Sequence, residues 1–321
     1  MEYILWLLPL NLVYSIKITS LENTKIKQTC GVRFRKDRNV FKSFGGRTLE
    51  ADEYPWIAAL GIGKSDPRCS GVLISPRHVL TAAHCVIKVP AEVSTEEECR
   101  RKGQRNQRRA SAPLNSWTAY VGGGCPIERC VLVRLAKIYV YEGFNECSGS
   151  DDLALLELAA HVPESWATPI CMPEKGLQVS RHLKAAGSGR IGPGEEYPSI
   201  GNQVLDVTFV GSIKRTLAVI SPPGTGLCSG DSGGPLFQSR RKDKITVVGL
   251  LSAGNSCEQN YRLRQGFDLF TDVRQYLDWI CEKSGVCPED PVRSSIASTR
   301  ANFMFGCVVV VVFTHIFKQY Y

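Results

Sequence analysis

The sequence predicts an all-β fold, and two observations carry that prediction. Short apolar runs recur along most of the chain, each bounded by Gly, Pro or polar turn residues, and only one stretch has convincing helical spacing. Between about Ser43 and Cys281 the runs are Trp56–Leu60, Gly71–Ile74, Ala119–Val121, Val131–Val133, Val204–Val210, Leu217–Ile220 and Thr246–Leu251. Each is too short for a core helix and rich in aliphatic residues, as strands are. The helix is Asp272–Cys281, with Val273, Tyr276, Leu277 and Ile280 on one face. No repeat of solenoid type interrupts the pattern.

The two ends differ from this middle. Ile4–Val13 is a short apolar core, and Val13 and Ser15 supply small residues before a cut after about Ser15, so residues 1–15 read as a signal peptide. Residues 16–42 are polar and basic with one cysteine, Cys30, and are expected to form a pro-segment rather than part of a core. Residues 284–302 read as a linker. Phe303–Phe317 is about fifteen residues long with only Thr314 and His315 as polar breaks, short of the roughly 20 that a spanning helix needs. It follows a stretch of small residues as a GPI-addition signal does, so a membrane anchor is expected here.

Composition narrows the setting. The 321 residues allow one large domain or two small ones with extensions. Thirteen cysteines point to an oxidising compartment, and hence to a secreted protein or one on the extracellular face of the plasma membrane. The net charge of +8 is mild, and part of it lies in the run Arg100–Arg109. That run reads first as a solvated basic loop, with acidic substrates, glycans or a membrane surface as further partners. Nucleic acid is excluded as a partner because no recognition fold accompanies the charge. No N-glycosylation acceptor occurs.

The strongest chemical signal is Cys228–Pro235, CSGDSGGP. A serine hydroxyl is a poor nucleophile until a base takes its proton. The glycines around Ser232 let the backbone bend tightly, so that the amides of Gly230 and Ser232 can point at one spot and hold an oxyanion. A base is available at His84 within Thr81–Cys85, TAAHC. The third member of such a set is a carboxylate that fixes the imidazole tautomer. Asp152 directly precedes the run LALL and is the candidate, whereas Asp151 is expected to be solvated.

These segments together resemble the trypsin/chymotrypsin family of serine endopeptidases, whose order of catalytic residues is that of His84, Asp152 and Ser232 here. Gly45–Arg47 with Glu53–Trp56, Thr168–Pro173 and Phe270–Val273 extend the likeness, which covers roughly Ser43 to Cys281. The resemblance implies two six-stranded antiparallel β-barrels with the site between them and a C-terminal helix, the peptidase domain filling residues 43–283. It also implies a zymogen cut after Lys42 by an activating protease, the freed amine of Ser43 turning inward to pair with Asp231. Substrates would be proteins or peptides, regulators would include protein inhibitors, and neither cofactor nor metal is called for. The implied disulfides are Cys69–Cys85, Cys228–Cys257 and Cys30–Cys171. Cys99, Cys125, Cys130, Cys147, Cys281 and Cys287 are left as an even set of unassigned pairing.

Specificity is left open between two readings. Trypsins carry an aspartate six residues before the serine, and in this chain that position is Gly226. Asp268 lies near the usual wall glycine. If it points inward it restores an acidic pocket that favours Lys or Arg; if Gly266 is the wall glycine instead, Asp268 is exposed and the pocket is apolar. Ser252-Ala253-Gly254 replaces the usual Ser-Trp-Gly, so an extended substrate can still pair there, but the aromatic shelf is lost. The rival to a peptidase is a non-catalytic binding or regulatory protein on the same fold; an esterase or transferase using the same residues is a further one.

Overall fold

In a computed structural model the structure describes residues 17–32, 47–49, 53–62, 67–87, 113–122, 130–145, 148–192, 197–199, 201–239, 244–263 and 266–288. The signal peptide, Lys42, Ser43, the basic run, Cys99, Cys125, Cys147 and the apolar tail lie outside them. The first compact unit of the chain ends at Cys287. Among the described residues no helix is long and apolar enough to cross a membrane.

The apolar runs form strands, and the strands close on themselves twice. The first barrel comprises β2 (Ile57–Ile62), β3 (Cys69–Ser75), β4 (His78–Thr81), β5 (Trp117–Val121), β6 (Val131–Val140) and β7 (Ala154–Leu158), in the closed order β2-β3-β4-β7-β6-β5. Alternation is plain in β5, where Trp117, Ala119 and Val121 point inward. The second barrel comprises β8 (His182–Gly187), β9 (Gln203–Ile213), β10 (Thr216–Ile220), β11 (Pro235–Ser239), β12 (Ile245–Gly254) and β13 (Phe267–Asp272), closed by the pairing of β8 with β9 and all antiparallel. The short strand β1 (Arg47–Thr48) adds to its edge on β9. Closure leaves neither barrel with an open edge. Tyr54 and Trp56 meet Phe237 of β11 at ring-centroid distances of 5.1 and 6.3 Å, and this aromatic cluster joins one barrel to the other.

The helices depart from expectation in two ways. The C-terminal helix begins later than the periodicity suggests, because the Asp272 carboxylate accepts the Arg274 N–H and holds Val273–Gln275 as a tight 3-10 turn. A helix then runs over Leu277–Ser284 and ends on Gly285 in the left-handed region at φ 80°. The expected inward face survives, with Val273, Tyr276, Leu277 and Ile280 all buried.

The second departure concerns residues 16–42. Ser20–Thr29 is a helix, α1, opened by a capping box in which Thr19 and Glu22 satisfy each other's backbone N–H groups. The expectation that this segment stands apart from the core is corrected: Ile18, Ile26 and Cys30 are buried in the main apolar cluster. Polar spacing hid the helix, since only one turn of its surface faces inward, but the Thr-x-x-Glu signature was legible.

Candidate active site

Two strands set the first half of the site. β4 pairs with β7 so that Thr81 faces Ala154, and both chains then run off the same end of the ladder. A one-turn helix, α2 (Ala83–Val86), follows β4 and carries His84; Asp152 lies just before β7. The Asp152 carboxylate accepts the His84 backbone N–H at Oδ1 (2.9 Å) and faces His84 Nδ1 at Oδ2 (2.7 Å). An ionised carboxylate can only accept, so Nδ1 carries the proton and Nε2 is left as the basic nitrogen. Ser252 adds a hydroxyl donor to Asp152 Oδ2 at 2.6 Å, and Thr271 donates to the Asp152 carbonyl at 2.9 Å. Asp152 is buried at 2% exposure while the His84 side chain keeps 36%.

The second half comes from the turn before β11. The Ser232 carbonyl accepts the Ser70 N–H at 2.7 Å, which hooks this turn onto β3 of the other barrel. A side chain at position 233 would collide with Thr81, Ser70 and Ala82, so only glycine, here at φ +79°, lets the turn approach so closely. The Cys69–Cys85 disulfide lies in the same seam, with Cys85 Sγ 3.9 Å from His84 Nε2 and 3.6 Å from the Ser232 carbonyl oxygen. His84 Nε2 and the Ser232 carbonyl thus both lie against Cys85 Sγ. Cys69, His84 and Cys85 also offer atoms within 4.8 Å of one another, but both sulfurs are spent in the disulfide, so the cluster is no metal site.

Gly230 takes φ +100°, and its carbonyl is held by the Ser70 hydroxyl at 2.8 Å, which itself accepts the Ser188 N–H at 2.8 Å. Among the described residues the amides of Gly230 and Ser232 donate to no partner. Ser70, fully buried, is a site residue that the sequence did not reveal; nothing in its neighbourhood along the chain marks it, because its partners are 118 and 160 positions away.

Between them Asp231 points inward. Its carboxylate accepts the Gly189 N–H at 2.8 Å and the Cys228 N–H at 2.9 Å, and burial pushes its pKa up to about 6. Beside it lies a small recess of about 10 Å³, lined by Ala185, Gly187, Gln203, Val204, Leu205, Gly226 and Leu227.

Comparison with known proteins agrees with this geometry. A model of the Nematode trypsin-6-like family matches residues 1–287. The chain belongs to this family of trypsin-like serine proteases. Coagulation factor XII of Rattus norvegicus is 31% identical over 278 residues, which cover 79% of this chain and 42% of that protein. Phenoloxidase-activating enzyme 1 of Spodoptera litura is 26% identical over 274 residues (79% of this chain, 69% of that protein). CLIP domain-containing serine protease B9 of Anopheles gambiae is 28% identical over 280 residues (81% and 66%). The chain thus spans between 42% and 69% of the length of these relatives.

The residues expected at the specificity pocket fall in two groups, Gly254 with Asp268 and Gly226 with Asn260, while the Ser252 hydroxyl is bonded to Asp152. Gly254 at the end of β12 pairs with Asp268 on β13, and Asp268 is only 1% exposed, which corrects the reading that left it in solvent. A side chain on Gly254 would strike the Asp268 carboxylate. Burial, with a smaller contribution from the Asp231 charge, raises the pKa of Asp268 to about 7. Gly226 lies in the turn that the Cys228–Cys257 disulfide ties to helix α3 (Cys257–Leu263). That helix, absent from the sequence reading, brings Asn260 against Gly226.

The implied disulfides all form, and Cys281 pairs with Cys287 from the unassigned set; Cys130 is disulfide-bonded as well. Asp151, expected in solvent, instead takes the Arg215 guanidinium at 2.9 Å and the Tyr276 hydroxyl at 2.6 Å.

Proposed function

We propose that this chain is a serine endopeptidase made as a zymogen, with Ser232 as nucleophile, His84 as base and Asp152 as its orienting carboxylate. The observation that carries the reading is the Asp152–His84 pair, with its Nδ1–Oδ2 distance of 2.7 Å, with His84 Nε2 and the Ser232 carbonyl both lying against Cys85 Sγ. Ser232 Oγ attacks the scissile carbonyl carbon as its proton passes to His84 Nε2. The displaced electron pair rests on the oxygen, facing the Gly230 and Ser232 amides. Collapse expels the amine, which takes the proton from His84, and water then releases the acyl group by the same route. Substrates are proteins or peptides; the name of phenoloxidase-activating enzyme 1 supports a role in activating other proteins.

Control by cleavage after Lys42 fits the surroundings of Asp231. Above about pH 6 that carboxylate is ionised and buried with two amide donors and no cation among the described residues. Strand β1 pairs Arg47 with Val204 and Thr48 with Gln203, two residues that line the recess beside Asp231. A freed amine at Ser43, four residues upstream, has a span of roughly 13 Å from Arg47 in which to reach it. Arriving there, it would neutralise the carboxylate and lower its pKa again. The four disulfides among the described residues support an oxidising, extracellular setting.

Ser232→Ala in the cleaved protein is expected to abolish peptide hydrolysis and labelling by a fluorophosphonate probe. Labelling that persists in this variant would overturn the assignment.

A further inference from the structure

Helix α1 leaves a void against the first barrel. A cavity of about 200 Å³ lies between one face of α1, the turn that joins β3 to β4, and the stretch from His161 to Pro169. Its apolar lining is Ile18, Ile26, Pro76 and Pro169, and its charged or titratable lining is Glu22, Lys25, Arg77, His161 and Glu164. Ile18, Ile26 and Pro169 are buried, whereas Glu22, Lys25, His161 and Glu164 are exposed. The apolar groups therefore lie inside and the charges at the mouth.

The walls are held apart by bonds at both ends of the helix. Ile18 N–H donates to the Ser284 carbonyl and Gly31 N–H to the Pro169 carbonyl, each at 2.8 Å, and Cys30 is bonded to Cys171. At the mouth, Lys25 Nζ meets Glu164 at 2.6 Å and straps the helix to the facing stretch. Protein interiors are close-packed, and an apolar void forfeits the dispersion contacts of its lining. A dry apolar cavity of about 150 Å³ is already large enough to take benzene.

The charges at the mouth are unequally committed. Glu164 is paired with Lys25, and Glu22 accepts the Thr19 N–H and hydroxyl in the capping box that opens α1. Arg77 donates from Nη2 to the Leu158 carbonyl at 3.1 Å and meets no carboxylate at ion-pair distance among the described residues. The His161 imidazole has no hydrogen bond or ion pair among them. The pKa of Glu22 is lowered first by its bonds to Thr19 and then by the charges of His161 and Arg77, so both lie within electrostatic reach of it. The groups left uncommitted are an arginine and a histidine, and both suit an anion.

We propose that this cavity is a binding site for a small amphipathic anion, with an apolar body the size of one ring or a short acyl chain inside and a carboxylate at the mouth against Arg77. Size and charge set the class. The space is smaller than the roughly 300 Å³ at which pockets for drug-sized ligands begin, and a guanidinium takes a carboxylate through two parallel N–H bonds. A ligand so placed touches α1 on one side and the barrel on the other, and fastens the helix to the fold. None of the lining residues belongs to the candidate active site, so binding here is independent of the peptidase reading.

The test uses the full uncut chain with three probes: phenylbutyrate, phenylbutanol as the same body without the charge, and acetate as the charge without the body. At about tenfold its Kd, phenylbutyrate is expected to raise Tm by about 2–6 °C. The methyl NMR signals of Ile18 and Ile26 should move with the same Kd. Phenylbutanol is expected to bind about tenfold more weakly, and acetate to move neither Tm nor these signals. Arg77→Gln should weaken the acid to the level of the alcohol. Thr29→Trp, which sets a large side chain into the cavity from the exposed end of α1, should abolish binding of both. Should Arg77→Gln not fold, the ratio of acid to alcohol on the wild type decides. Equal binding of acid and alcohol, unmoved Ile18 and Ile26 signals at the solubility limit of phenylbutyrate, or binding that survives Thr29→Trp overturns the proposal.

Discussion

Asp268 and Asp231 are carboxylates that burial has pushed in the same direction, to about 7 and about 6, and the reason each is tolerated differs. Asp231 has two amide donors, and the proposed cut would bring it an amine. Asp268 has an oxygen without a hydrogen-bond partner among the described residues. Its raised pKa means that the group is largely neutral below about pH 7 and charged above. A cationic substrate should therefore gain relative to an apolar one as pH rises through that value. The ratio of kcat/KM for Arg and Phe substrates isolates this effect, because any pH dependence of the shared chemical step acts on both and cancels. We expect the ratio to climb about tenfold between pH 6 and 8; a flat ratio would show that Asp268 does not meet the substrate. At this scale the sequence was informative about chemistry and silent about support. CSGDSGGP, TAAHC and DDLALL pointed to the candidate reacting side chains because the neighbours of those side chains along the chain are part of the pattern. Ser70 and Asn260 are bonded to partners distant in sequence, and no local pattern betrays them.

Elements show the same division. The aliphatic runs at β3 and β12 were legible because they are buried along most of their length. The strands β4, β8 and β11 were not, since each is four to six residues long and interrupted by His, Lys, Pro or Gly. Pairing on both sides within a closed barrel, rather than composition, makes them strands. The loop before β7 gives this a functional edge. Asp151 sits at φ 58°, a region that a residue with a Cβ seldom occupies. It is held there by Arg215, from the turn between β9 and β10, and by Tyr276 at the start of the C-terminal helix. This strained residue fixes the direction in which the next one, Asp152, leaves the backbone. Asp151→Ala removes both contacts and disfavours the left-handed conformation by about 1–2 kcal/mol. It is expected to lower kcat about tenfold with little change in KM, whereas Asp151→Asn, which tolerates that conformation, should recover most of the rate. Equal kcat for the Ala variant and the wild type would show that the network supports folding alone.

For the whole molecule, the question is where the folded unit begins. Two barrels could be expected from the resemblance; the aromatic seam of Tyr54, Trp56 and Phe237 between them and the structural role of α1 could not. The segment is fastened at both ends and in the middle. Ile18 N–H donates to the Ser284 carbonyl at 2.8 Å, and Asn23 exchanges hydrogen bonds of 3.1 and 3.2 Å with the Cys287 backbone. Gly31, at φ +68°, lies so close to Ile245 that a side chain would collide with its backbone, and Cys30 is bonded to Cys171. These contacts and the Cys30–Cys171 bond lead us to expect that α1 stays in the fold if the chain is cut after Lys42. Asn23 offers the sharpest test, being 5% exposed and bonded to the stretch that follows the last helix. Asn23→Ala leaves a backbone donor and acceptor without their partner, at a cost of about 1–3 kcal/mol. That corresponds to a fall in Tm of about 2–10 °C for a domain of this size. The fall should be the same in the uncut protein and in protein cleaved after Lys42 with its disulfides intact, as followed by calorimetry. A variant whose Tm drops only before cleavage would show that α1 leaves the fold on activation.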